Sequence, residues 1–265
     1  MKYKIDHDLH IHTKISYCSG DSEQTLERAL EYARQNQLNK LCVANHFWDE
    51  DIECASSFYQ PQNYSRLIKD KPNKDNNGIE FLFGCETEIN SDKVLGITND
   101  RFSSFDFVII PTTHMHMQFT LKEEERDIKG RAKAWVDRLD ILLNMDLPFR
   151  KIGLAHLVSK LINNKSIEDY IATLNLISSD DMERLFSKAG KLGVGIEINR
   201  GDFDFDSRYT DFILRPFRIA KECGCKFYLG SDAHHPNEFD DAVKYFARAI
   251  DLLALEEKDK FIIES

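Results

Sequence analysis

The sequence predicts an α/β protein closed into a barrel, and three observations carry that prediction. Short apolar, strand-like runs alternate with helical patterns about seven times along the chain. Nearly every run ends in a histidine, a carboxylate or an asparagine. The length, 265 residues, is one that an α/β barrel fills as a single unit. Alternating strands and helices imply parallel pairing with right-handed crossovers, which an open doubly wound sheet satisfies as well. The barrel is preferred because polar residues at the ends of all the strands can meet only on a closed rim, where barrel active sites are assembled.

The first strand begins over 3–7 and runs into Asp8-Leu9-His10-Ile11-His12-Thr13, where the two-residue period of a strand puts His10 and His12 on one face. A helix is expected over 22–37, with Ser22 as N-cap and an apolar stripe of Leu26, Ala29, Leu30 and Ala33. A buried strand over 40–45 ends at His46. The stretch 47–78 is aromatic, Asn-rich and interrupted by Pro61 and Pro72, too long for an ordinary βα connection, and is expected to be a loop insertion that forms a wall, a lid or a peripheral excursion. Strands follow over 79–86, delivering Glu86 and Glu88, over 106–110, running into His114 and His116, and over 151–155, ending at His156. Two more, over 194–198 and 226–230, end at Asn199 and at Ser231-Asp232-Ala233-His234-His235. Helices are expected over 123–144, 180–191, 210–222 and 236–257.

The composition is that of a globular protein, 42% hydrophobic and 30% charged. No apolar run approaches the roughly 20 residues of a membrane helix, and the chain starts as a strand rather than as a signal peptide. Six cysteines show no zinc-knuckle spacing, and Cys42 and Cys85 read as buried thiols, so a reducing cytoplasm is the expected setting. A net charge of −10 argues against a long nucleic acid as partner, because phosphate neutralisation requires a basic face. A small anionic substrate remains compatible where bound cations invert the local potential.

Nine histidines fall almost entirely at strand ends, which points to a metal site, since neutral imidazole is the commonest ligand for late first-row metals. The ordered set D-L-H-I-H-T, A-N-H-F, G-C-E-T-E-I-N, T-T-H, L-A-H-L, I-E-I-N and G-S-D-A-H-H-P resembles the successive motifs of the polymerase and histidinol phosphatase (PHP) domain, from Asp8 to Pro236. The resemblance implies a distorted, TIM-like (β/α)7 barrel, here one domain over 1–265 with the insertion at 47–78. It also implies a phosphatase that holds two to three divalent ions, zinc, iron or manganese. Carried over by motif, it implies His10, His12, Glu86 and Asp232 as ligands of a first metal. Glu86 would bridge to a second held by His114 and His156, and His46 and His234 would hold a third. Asn199 matches a supporting position, while His7 and His235 match none.

Two departures from the family pattern stand out. Cys18 occupies the spacing at which a histidine usually completes the third metal site, with Asp21 three residues later as the alternative; a thiolate suits zinc and iron, a carboxylate manganese or magnesium. The extra residue in Thr112-Thr113-His114-Met115-His116 leaves His116 as an alternative to His114. The implied reaction is attack of a metal-bound hydroxide on a small phosphomonoester, with Asp232 steering the nucleophile and a protonated His234 or His116 serving the leaving group. Arg200 and Lys14 are candidate phosphate contacts, with solvated surface charge as the competing reading. Other classes considered are a metal-dependent amidohydrolase, disfavoured by the Asp-x-His of the last strand, and a catalytically silent PHP barrel acting as a binding module. The expected substrate is a small phosphorylated metabolite or nucleotide.

Overall fold

The computed structural model describes residues 1–264. Its strands are β1 (His7–Ile11), β2 (Lys40–Val43), β3 (His46–Phe47), β4 (Glu80–Thr87), β5 (Phe107–Pro111), β6 (Ile152–Ala155), β7 (Gly195–Asn199) and β8 (Lys226–Gly230). All pair in parallel in the order β1-β2-β4-β5-β6-β7-β8, with β3 beside β4. β2 and β3 are two halves of one strand, pairing successive segments of β4. The break falls at Asn45, whose Oδ1 is drawn aside to accept from the Thr13 N–H and the Ser16 hydroxyl, each at 2.8 Å. Seven strands therefore make the wall, as expected, and β3 is the addition that sequence reading did not resolve.

The first and last strands meet through backbone bonds at their C-terminal ends. The Asp232 N–H donates to the His10 carbonyl at 2.7 Å and the His12 N–H to that of Ala233 at 3.1 Å. The wall is thus nearly closed, in a distorted TIM-like barrel flanked by helices.

Strand alternation sorts residues into two cores. On β4, Phe81, Phe83 and Cys85 face the helices, while Leu82, in the barrel interior, is followed on the same face by Glu86. β7 repeats the pattern, with Ile196 and Ile198 outward and Glu197 inward. Inside, Leu82, Phe107, Ile109, Tyr228 and Phe261 form a small apolar plug, the rings of Phe107, Tyr228 and Phe261 within 5.1–6.1 Å of one another. Above the plug the interior is polar. β1 departs from strict alternation. Its register on β2 runs from Asp8–Leu41 to Ile11–Val43, a bulge that turns Leu9 and His10 into the same interior.

Seven helices surround the wall: α1 (Leu26–Asn36), α2 (Tyr64–Leu67), α3 (Ile128–Leu142), α4 (Ile167–Leu176), α5 (Ser179–Leu192), α6 (Thr210–Glu222) and α7 (Phe239–Leu253). α1 starts later than its composition suggests. Thr25 is the N-cap, accepting from the Arg28 N–H, because Gln24 is drawn into the seam and donates to the carbonyls of His12 and Ala233. α3 likewise starts at its Asp127 cap rather than at 123, and α7 follows a 3-10 turn over Pro236–Glu238. α4, capped by Ser166, lies where no helix was expected. The 47–78 stretch is not wholly irregular. It holds β3, α2 and a 3-10 turn over Ile68–Asp70, and it is tied to its neighbours by Asp49, which accepts from Thr98 and Arg101. Cys42 and Cys85 are buried as expected.

Gly230 is the tightest point of the seam. A Cβ there would come within 2.2 Å of Glu197 Oε1 and 2.8 Å of the His10 Cβ. Gly230→Ala is expected to cost roughly 1–3 kcal/mol, the range for overpacking a close-packed interior, measured as a lower urea midpoint with an unchanged slope.

Candidate metal centre

The rim of the barrel gathers the strand-end residues around one carboxylate. Glu86 is fully buried, and neither of its oxygens accepts a hydrogen bond. Five imidazoles surround it, those of His46 at 2.8 Å, His12 at 3.4 Å, His156 at 3.5 Å, His10 at 3.7 Å and His114 at 3.8 Å. Asp232 closes the ring, 3.2–3.4 Å from His10, His12 and His156. A buried carboxylate without donors costs several kcal/mol unless a cation offsets it. His46 Nδ1, His156 Nε2 and Asp232 Oδ1 are also without hydrogen-bond partners. These orphaned atoms and the mixed imidazole and carboxylate donors fit divalent cations.

Four overlapping groups place their donor atoms within 4.8 Å of one another, namely His10, His12 and Glu86; Glu86, His114 and His156; His10, His156 and Glu197; and His12, Cys18, His46 and His234. Cys18 rather than Asp21 is the residue brought to His46 and His234; Asp21 lies 3.6 Å from His235. His114, not His116, sits with Glu86 and His156. His7 is remote from the cluster, between Asp6 and the Leu229 N–H.

Backbone and neighbours aim these side chains. His156 and Asp232 both adopt φ of 55°, a left-handed conformation that costs a non-glycine residue roughly 1–3 kcal/mol and concentrates at functional sites. His156 is held there by hydroxyls of Thr112 and Thr113 on its carbonyl, at 2.9 and 2.6 Å, and by its own N–H on Glu197. Four histidines use Nδ1 within the protein, which turns Nε2 toward the cluster, where those of His10 and His12 lie 3.0 Å apart. His10 meets Glu197 at 2.6 Å, His12 the Ser16 hydroxyl at 3.1 Å, His114 Glu88 at 3.1 Å and His234 the Asp232 carbonyl at 2.7 Å. Such partners fix tautomer and ring orientation in metal sites. Glu88 is in turn held by the buried guanidinium of Arg138 from α3. Asn199 donates to Glu197 at 3.0 Å.

Glu197 and Arg138 are the residues that sequence reading missed. Each carried a signal, Glu197 as a charge at an inward position of an apolar strand and Arg138 as a charge on the apolar side of α3 beside Trp135 and Leu139.

Arg200 and Lys14 do not reach the site. Arg200 pairs with Asp241 at 2.5 Å, and neither residue lines the cavity above the cluster. Lys14 is exposed. Nor are the two expected acids, His234 and His116, set up to carry a proton at neutral pH. Burial lowers His234 to about 3 and His116 to about 4, helped by the neighbouring imidazoles of His12 and His114 respectively. Neutral His234 suits a ligand better than an acid.

The fold and the site together define a barrel whose rim is furnished to hold metal ions. A family model described as the PHP domain matches residues 8–201, well over half of the chain, and the chain belongs to that family. The solved structures it resembles include histidinol phosphate phosphatase from Lactococcus lactis, in complex with zinc, L-histidinol and phosphate. That match has a TM-score of 0.55 at 18% identity, covering 92% of this chain and 93% of the other. A dihydropteroate synthase from Coxiella burnetii in complex with pteroic acid aligns at a TM-score of 0.44 and 12% identity over 95% of each chain. No curated protein matches the sequence. No helix among the described residues is long and apolar enough to cross a membrane.

Without metal, the site holds protons instead. Burial opposes charge on His10, His12 and His156, but Glu86, Asp232 and Glu197 outweigh it, raising all three, His156 to about 10. Above the ordinary imidazole value of 6.5 the folded, metal-free chain therefore binds more protons than the unfolded one, and its stability falls as pH rises toward 10. The urea midpoint of chelator-treated protein is expected to drop between about pH 7 and about pH 9, and that of metal-loaded protein to hold, because bound ions replace those protons.

Proposed function

We propose that the chain is a metal-dependent phosphatase that hydrolyses a small phosphomonoester. The observation that carries this reading is Glu86, a fully buried carboxylate with no hydrogen-bond donor, ringed by five imidazoles at the rim of a PHP-family barrel. His10, His12, Glu86 and Asp232 would hold one ion, Glu86, His114 and His156 a second, and Cys18, His46 and His234, with His12 close by, a third. The Cys18 thiolate in that last group favours zinc or iron. Divalent ions, when bound, lower the pKa of water toward neutrality and offset the charge of the phosphoryl oxygens.

The protein supplies position and exclusion. Asp232, with one oxygen toward His10 and His12 and the other toward His156, orients the attacking water at the centre of the cluster. Glu197 and Glu88 hold His10 and His114 against rotation, so the donors need little rearrangement as charge develops. A cavity of about 630 Å³ opens over Glu86, Asp232 and His234, a volume suited to a small molecule rather than a polymer. The net charge of −10 supports the same choice. The complete donor set supports an enzyme over a silent barrel. No lysine among the described residues lines the cavity, as a carboxylated-lysine amidohydrolase would need.

Protein purified without chelator is expected to carry two or three transition-metal ions by elemental analysis and to release phosphate from small monoesters. His12→Ala and Asp232→Ala are each expected to lower kcat/KM by roughly a thousandfold or more with unchanged circular dichroism, since several kcal/mol of charge stabilisation are lost at 1.36 kcal/mol per tenfold. Full activity of rigorously metal-free protein would overturn the proposal. Metal-edge anomalous scattering separates the third site. Cys18→Ser is expected to weaken that ion alone and Asp21→Asn to leave it in place; the reverse pattern would exchange the two assignments.

A further inference from the structure

We propose that the leaving-group side of the cavity is built for an uncharged alcohol with an aromatic body, so that the substrate's only charge is its phosphoryl group. This rests on the phosphatase reading above and names its substrate class.

Beyond the donor cluster, the cavity is walled by Phe58, Phe119, Met117 and Leu161, with Ser56, Ser57, Gln118 and His116, whose imidazole is lowered to about 4, as neutral polar contacts. No lysine or arginine among the described residues lines it, and its only carboxylates are Glu86 and Asp232, both of the donor cluster. The nearby guanidinium groups lie outside the lining and are held by other groups, Arg126 by the Gln118 carbonyl at 3.4 Å. Arg138 and Arg131 are buried on carbonyl oxygens, and Arg138 also on Glu88. Arg66 donates to the Ile15 carbonyl and covers the Tyr17 ring, and Arg200 pairs with Asp241. A second anionic group on the substrate would enter the wall without a counter-charge. An ammonium would find no carboxylate free of the metal ligands. Either would exchange hydration for neutral partners and ring faces alone, with no counter-charge, which disfavours it against an uncharged aromatic body.

The aromatic wall is pre-formed. Phe58 and Phe119 rest on the same fully buried ring, that of Tyr59, at 5.1 and 5.3 Å between centroids, and buried Trp48 braces Tyr59 and Phe119 at 6.0 Å each. Two anchored rings offer faces and edges to an aromatic guest with little entropy left to lose. Phe58 belongs to the long segment after β3 and Phe119 to the segment after β5, so two excursions of the chain build this wall together.

The test compares three primary alkyl phosphates whose alcohols carry a phenyl ring, an ammonium or a carboxylate, namely 2-phenylethyl phosphate, phosphoethanolamine and phosphoglycolate. Metal-loaded protein is expected to turn over the first with kcat/KM at least tenfold above either charged ester, the difference lying in KM. Calorimetric titration with phosphonates of the same three bodies, which cannot be hydrolysed, is expected to show the same order of affinity. Phe119→Ala is expected to collapse the preference toward unity. Gln118→Arg, at an exposed position that folding tolerates, is expected to raise kcat/KM for phosphoglycolate. Equal or better turnover of a charged ester by the unaltered protein would overturn this inference and leave the phosphatase reading intact. Phosphonate binding in the expected order without turnover of any ester would overturn the phosphatase reading and uphold the preference. Neither turnover nor binding would overturn both.

Discussion

Glu86 is a charge placed where the fold alone does not support one. Its strand face runs from Leu82 in the apolar plug directly to a carboxylate with no donor, and five imidazoles and Asp232 are arranged around that absence. The surrounding features follow from having to keep so many like dipoles and charges close. The bulge on β1 turns His10 inward, the left-handed backbone at His156 and Asp232 aims both across the rim, and Glu197 and Glu88 carry the outer nitrogens of the imidazoles. A site of this kind costs stability in the empty protein and recovers it on loading.

The support reaches further than the rim. Arg138 on α3 holds Glu88, which holds His114, so the apolar face of a helix is interrupted by a charge in order to orient a ligand on the neighbouring strand end. Arg131, two helical turns earlier, instead fastens the segments after β5 and β6 by their carbonyls of Met115 and Ile162. The two arginines show the same residue type on one helix serving the site in one case and loop architecture in the other.

Much of this was legible in the sequence because strand and ligand signals coincide. An apolar run ending in His, Glu or Asp marks both a strand's C-terminal end and a rim residue, and His10, His12, His46, Glu86, His114, His156, Asp232 and His234 all converge as their positions suggested. What stayed hidden depends on tertiary partners. The late start of α1 follows from Gln24 bonding two carbonyls across the seam, and the split between β2 and β3 follows from Asn45 being shared with Thr13 and Ser16. Helix α4 does carry an apolar stripe, Ile167, Tyr170, Ile171 and Leu174, packed on the core behind its Ser166 cap, and the sequence reading passed over it. Arg200 and Lys14 were suggested by proximity in sequence to strand ends, and proximity along the chain does not say which way a long side chain turns.

The seam between β1 and β8 joins residues more than 220 positions apart, as Ser231 and Asp8 do at a separation of 223. Joining them in a flexible chain means closing a very long loop, whose entropic cost grows as about (3/2)RT ln n. His10 and His12 stand on one side of that seam and Asp232 and His234 on the other, so any ion they share ties the two ends of the barrel as a cross-link would. Opening of the barrel at this edge and loss of the ion then become one event, and the rate at which the protein surrenders its metal also reports how often the two ends of its chain come apart.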